Sequence, residues 1–96
     1  MSVAIIGGNE RMIRRYTDIC KEYNCKAKVY PKMCRGMKDL GCPDLMVLFT
    51  DTVSHKLMRS AMENVKDKAT KVVRSHTGSA SALKNILEEH LCLNSL

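Results

Sequence analysis

Three short polar segments hold most of the residues able to do chemistry in this chain. Gly7-Gly8-Asn9-Glu10-Arg11 follows one apolar run, and Thr50-Asp51-Thr52-Val53-Ser54-His55 follows another. Arg74-Ser75-His76-Thr77-Gly78-Ser79 follows a third, shorter one. Glycine pairs let a backbone approach a ligand closely, and a helix that starts after such a turn offers unpaired N–H groups and a positive dipole end. Thr50, Thr52, Ser54, Ser75 and Ser79 would add hydroxyl donors, with Arg11, His55, Arg74 and His76 supplying charge. That combination suits an anion, with phosphate, sulfate or a nucleotide phosphate as the expected ligand class. Neither G-x-G-x-x-G nor G-x-x-x-x-G-K-[ST] is present, so dinucleotide and P-loop nucleotide sites are not indicated.

The same residues admit other readings. Ser54, Ser79 and Ser81 are good helix N-caps, which is the plainer role for each. Asp51 with Glu10, or His55 with His76, would suit metal-assisted phosphoryl or hydrolytic chemistry. An Asp at the end of a third strand is where phosphate-accepting receiver domains carry their nucleophile, but this chain lacks the fifth strand and late Lys of such a domain. Asp51, His55 and His76 are the candidate metal ligands, although the dense spacing of a zinc motif is missing. No cofactor and no catalytic residue can be named from these segments. His90, beside Glu88 and Glu89, reads as a solvated side chain.

Elements that could bring the three segments together are readable from the apolar pattern. Val3–Ile6 and Leu45–Phe49 are continuous apolar runs, as in strands buried on both faces. Lys26–Tyr30 alternates polar and apolar before Pro31, which marks an edge strand. Lys71–Arg74 is a shorter fourth strand. Met12, Ile13, Tyr16, Ile19, Cys20 and Tyr23 recur at helical spacing after Asn9, and Asn24 supplies a stop. Leu57, Met58, Ala61, Met62, Val65 and Ala69 form a second helical stripe. Leu83, Ile86, Leu87 and Leu91 form a third, beginning near Ser79 or Ser81. Residues 31–43 allow at most a two-turn helix, because Gly36, Gly41 and Pro43 interrupt it.

Strand and helix therefore alternate, which predicts an α/β, flavodoxin- or Rossmann-like domain of three layers. The expected sheet is four-stranded and mostly parallel, in the order 2-1-3-4, with helices on both faces. Ligands of such sheets sit beyond the carboxyl ends of the strands, where the strand order reverses. All three polar segments leave strands at that edge.

Size and composition narrow the classes. The chain has 96 residues, with 16 Lys+Arg against 10 Asp+Glu and a net charge of +6. One domain usually takes about 100–200 residues, so residues 1–96 are read as a single domain. The basic excess is dispersed, with no polybasic tail and no aromatic-rich RNA-binding strand, so nucleic acid is not the expected partner. Arg11, Arg14, Arg15 and Lys21 are interleaved with Glu10, Asp18 and Glu22 and read as a solvated helix face. No apolar run approaches the roughly 20 residues of a membrane helix. The first residues lack the basic and apolar regions of a secretion signal. Five cysteines (20, 25, 34, 42 and 92) are an odd number without C-x-x-C spacing, so reduced thiols in the cytoplasm are expected. Cys34 and Cys42 are the two to suspect of reactivity. Open sheet edges make a homo-oligomer, most simply a dimer, the expected assembly. A pure interaction module of that kind, without a small ligand, is the third reading.

Several of these strings resemble a small bacterial family, domain of unknown function 2325. They are Gly7-Gly8-Asn9-Glu10-Arg11-Met12 with Tyr16 and Cys20, Lys26-Ala27-Lys28-Val29, and Pro43-Asp44-Leu45. Leu48-Phe49-Thr50-Asp51-Thr52-Val53-Ser54-His55, Val72-Val73-Arg74-Ser75-His76 and Ser79-Ala80-Ser81-Ala82-Leu83 complete the resemblance, with Leu87-Glu88-Glu89. Many members resemble G-G-x-D-R where this chain has Glu10, which keeps the charge and lengthens the reach. Residues 31–42 match least. The resemblance implies a compact, cytoplasmic bacterial protein without an established activity, and it assigns no catalytic residue.

Overall fold

The computed structural model describes residues 2–31, 43–66 and 68–91. Its strands are β1 (Ser2–Gly7), β2 (Lys26–Tyr30), β3 (Leu45–Phe49) and β4 (Lys71–Ser75). Its α-helices are α1 (Ile13–Glu22), α2 (His55–Val65) and α3 (Ala80–Leu91), with a 3₁₀ turn over Glu10–Met12. The sheet order is β2-β1-β3-β4 and every pairing is parallel, where a mostly parallel sheet was expected.

Alternation along the two central strands divides the core into two layers. Val3 and Ile5 of β1 with Leu45, Val47 and Phe49 of β3 face Tyr16, Ile19 and Cys20 of α1 and Leu83, Ile86 and Leu87 of α3. Ala4, Ile6, Met46 and Leu48 face the other way, onto Leu57, Ala61 and Val65 of α2. Both faces of β1 and β3 are covered, which explains their uninterrupted apolar runs. β2 is half-exposed along its length, as an edge strand requires. Met58 and Met62 pack at the margin of the α2 layer, whereas Ala69 lies beyond the helix and is exposed.

Helix boundaries follow local chemistry, with one difference. Asn9 precedes the first helical stripe, yet it does not cap α1 itself. Instead its Oδ1 accepts from Arg11 N–H at 2.9 Å and its carbonyl accepts from Met12 N–H at 2.8 Å. These contacts span two and three residues, so they wind a 3₁₀ turn before α1 begins. At the other end of α1, Asn24 adopts φ 58°. Its N–H donates to Lys21 O at 3.0 Å, and Cys25 N–H donates to Cys20 O at 2.9 Å. This pair of bonds is a Schellman motif, whose outer residues meet as an apolar pair. Here that pair is Cys20 and Cys25, both buried in the α1–α3 layer.

Ser54 caps α2 by accepting from Leu57 N–H at 3.1 Å, and Ser79 accepts from Ala82 N–H at 3.1 Å at the start of α3. Residues 32–42, where at most a two-turn helix is expected, lie outside the described residues, with Cys34 and Cys42 among them, and so does Cys92. Among the described residues, no helix is long and apolar enough to cross a membrane. His90, expected to be solvated, is half-buried on α3.

Candidate functional site

Strand register decides where the three polar segments begin. Gly7 pairs with Phe49, and Phe49 pairs with Ser75, so β1, β3 and β4 end in one row across the sheet. The turns that follow are then tied to one another. Thr50 N–H donates to Ser75 O at 2.8 Å, and Gly8 N–H donates to Thr52 Oγ1 at 2.7 Å. The Thr52 hydroxyl in turn donates to Phe49 O at 3.3 Å.

A cleft of about 360 Å³ opens above this row, lined by Gly8, Asn9, Met12, Asp51, Thr52, Thr77, Gly78 and Ser79. That volume is within the range of small-molecule sites, roughly 300–1,000 Å³. The cleft lies where the strand order reverses and extends to the end of β4.

A buried aromatic pair lies beneath the glycines of this lining. Tyr16 and Phe49 pack with ring centroids 5.4 Å apart and planes tilted by 42°. A Cβ placed on Gly8 would lie 2.9 Å from both Cε2 and the hydroxyl oxygen of Tyr16. Gly8 also has φ +87°. The glycine therefore meets two independent demands, a left-handed backbone and direct seating on an aromatic ring. Gly78 sits on the same ring from the opposite turn, where a Cβ would lie 3.2 Å from the Tyr16 hydroxyl. Gly7, buried behind the cleft, has φ +90°.

Of the residues expected to bind a ligand, Gly8, Asn9, Asp51, Thr52 and Ser79 line the cleft. Glu10, Arg11, Thr50, Ser54, His55, Arg74, Ser75 and His76 leave the same edge but stand outside its lining. Several of the expected hydroxyl donors already have partners. Thr50 Oγ1 donates to Ser75 O at 3.3 Å, and Ser75 Oγ donates to Thr77 O at 2.9 Å. Ser54 and Ser79 are the caps described above.

Asp51, His55 and His76 do not come together as metal ligands. Among the described residues, no group of three or more His, Cys, Asp or Glu side chains could hold a metal ion. Among the described residues, Asp51 is the only charged side chain of the cleft lining. Away from the site, burial first and the neighbouring Cys25 second raise the Cys20 thiol to about 11. Burial likewise pushes the Cys25 thiol up.

Sequence reasoning missed Met12, Thr77 and Gly78 as cleft residues, and took Tyr16 for an ordinary core residue. A signal for Tyr16 did exist. A tyrosine in a buried helical stripe needs a partner for its hydroxyl, and here it donates to Gly78 O.

Comparison with known proteins locates the chain by family. No curated protein and no solved structure matches it. Residues 2–90 match the family described as "Uncharacterized protein conserved in bacteria (DUF2325)". That match spans all four strands, the three helices up to His90 and every turn of the cleft, and the chain belongs to this bacterial DUF2325 family.

Proposed function

We propose that this chain is a small ligand-binding or regulatory module, whose ligand occupies the cleft at the carboxyl edge of the sheet and carries a phosphate or comparable anionic group. One observation carries the reading: three turns from three different strands converge on a single cleft at the point of strand-order reversal. Sheets of this kind bind ligands at that position because the helices and loops diverge there.

Two further features support it. The capped N-termini of α2 and α3 follow two of the three turns, and a helix N-terminus favours negative charge. Arg11, Arg74, His55 and His76 lie on or beside the same turns and supply basic side chains at that edge of the sheet. Asp51 alone is an incomplete catalytic set, so binding is favoured over metal-assisted hydrolysis.

Thermal melting of the chain with inorganic phosphate, ribose 5-phosphate and nucleoside mono-, di- and triphosphates tests the reading. A ligand at a hundred times its Kd stabilises by about 2.7 kcal/mol, which in a domain of this size raises Tm on the order of 10 °C. Asn9→Asp and Ser79→Asp each keep an N-capping side chain while adding negative charge to the lining, and either should abolish the shift. No stabilisation by any of these anions overturns the proposal.

A further inference from the structure

We infer that the ligand is a hydroxylated phosphate ester, a sugar or nucleoside phosphate, and that Asp51 selects it by accepting hydrogen bonds from the sugar hydroxyls. The inference rests on the binding reading above and specifies its ligand.

The hydrogen bonds around the cleft leave only some of its polar groups for a ligand. Thr52 was expected to donate to an anion, but its one hydroxyl proton goes to Phe49 O while its oxygen accepts Gly8 N–H. Neither Thr52 nor the Gly8 amide has a donor left. Among the described residues, three side-chain donors remain on the lining. Asn9 uses only Oδ1, towards Arg11 N–H, which leaves its amide NH₂. Ser79 uses its oxygen as an acceptor, which leaves its proton. Thr77 contributes a hydroxyl without a side-chain hydrogen bond among the described residues. These donors belong to the turns after β1 and β4. The turn after β3 presents the opposite character: Asp51 is exposed and has neither a hydrogen bond nor an ion pair among the described residues.

The lining is thus divided into a donor part and an acceptor part. A bare inorganic anion would satisfy the donors but would meet the like charge of Asp51, with no cation among the described residues of the lining to offset it. A ligand that pairs an anionic end with hydroxyl donors satisfies both parts. A carboxylate has two oxygens and accepts from neighbouring hydroxyls without change of protonation. Size agrees, since about 360 Å³ is room for roughly a dozen waters, well beyond one phosphate group.

Calorimetric titration of the full chain in EDTA separates the outcomes, with inorganic phosphate, ribose 5-phosphate, AMP and 2′,3′-dideoxy-AMP as probes. Ribose 5-phosphate or AMP should bind at least tenfold more tightly than phosphate, and dideoxy-AMP should lose that advantage over AMP. Asp51→Asn should bind phosphate more tightly than the parent and discriminate against the dideoxy ligand less. Asp51 makes no hydrogen bond among the described residues, so this variant should melt as the parent does. Phosphate binding equal to ribose 5-phosphate and AMP overturns the inference and leaves the binding reading standing. Phosphate binding that appears only on adding Mg²⁺, and is lost in Asp51→Asn, also overturns it by making Asp51 a metal ligand. Binding of none of the four overturns both.

Discussion

The Tyr16 hydroxyl donates to the carbonyl oxygen of Gly78 at 2.5 Å, joining α1 to the turn after β4 across 62 residues of chain. The Tyr16 hydroxyl oxygen itself accepts from Asn9 N–H at 3.4 Å, a long bond that brings the turn after β1 to the same point. One fully buried side chain thereby holds two of the three turns that line the cleft. Tyr16→Phe keeps the ring and removes both bonds. Loss of about 1–2 kcal/mol is expected in urea denaturation, because a part-buried carbonyl is left without its donor. Ligand affinity should fall with it, since the two turns lose their common anchor.

Gly8→Ala should be the most damaging small substitution at the cleft. It places a Cβ 2.9 Å from the Tyr16 ring and forces alanine to φ +87°. The expected cost is about 1–3 kcal/mol. Gly78→Ala meets the Tyr16 hydroxyl at 3.2 Å without a positive φ, so its cost should be smaller. Denaturation midpoints of the two variants check the order. Equal midpoints would show that the Gly8 backbone and ring contact do not matter as argued.

Ser54 and Ser79 act chiefly as caps, and each removal should cost about 1 kcal/mol. They serve different helices and share no partner, so Ser54→Ala and Ser79→Ala should add in the double variant. Ser54→Asp and Ser79→Asp should retain most of the stability, because aspartate caps equally well. In ligand titrations the two positions should diverge, since only Ser79 lines the cleft.

Alkaline pH should destabilise the fold through its buried thiols. Cys20 is raised from 9.0 to about 11, so the folded state holds its proton more tightly than the unfolded chain does. The stabilisation is complete below pH 9 and is lost as pH rises towards 11. For Cys20 alone the loss is on the order of 2 kcal/mol. Cys25 shifts in the same direction and adds to it. Urea melts between pH 8 and pH 11 should show a steeper decline for the parent than for Cys20→Val, which keeps an apolar side chain of similar size. Parallel curves would remove Cys20 from the account.

Much of this protein is written in local pattern. The two central strands are legible because Val3–Ile6 and Leu45–Phe49 are apolar without interruption, and burial on both faces permits nothing else. The edge position of β2, the caps at Ser54 and Ser79 and the stop at Asn24 follow from periodicity and from residues that satisfy their own neighbours' backbone, whereas the strand order was expected from likeness to flavodoxin-like domains. The register of the sheet then places the polar turns along one edge. What tertiary structure alone decided is which polar groups remain for a ligand. Thr52 and Gly8 are 44 residues apart, yet they consume each other's hydrogen-bonding capacity. Tyr16 reads as core until its hydroxyl reaches Gly78. Arg11, His55 and His76 share the edge without entering the cleft, whereas Asp51 enters it and leaves Glu10 outside. Periodicity reports which face of an element is buried. It carries no information on which side chains from different turns come within hydrogen-bonding distance, and that proximity separates the ligand-facing groups from those that merely hold the turns together.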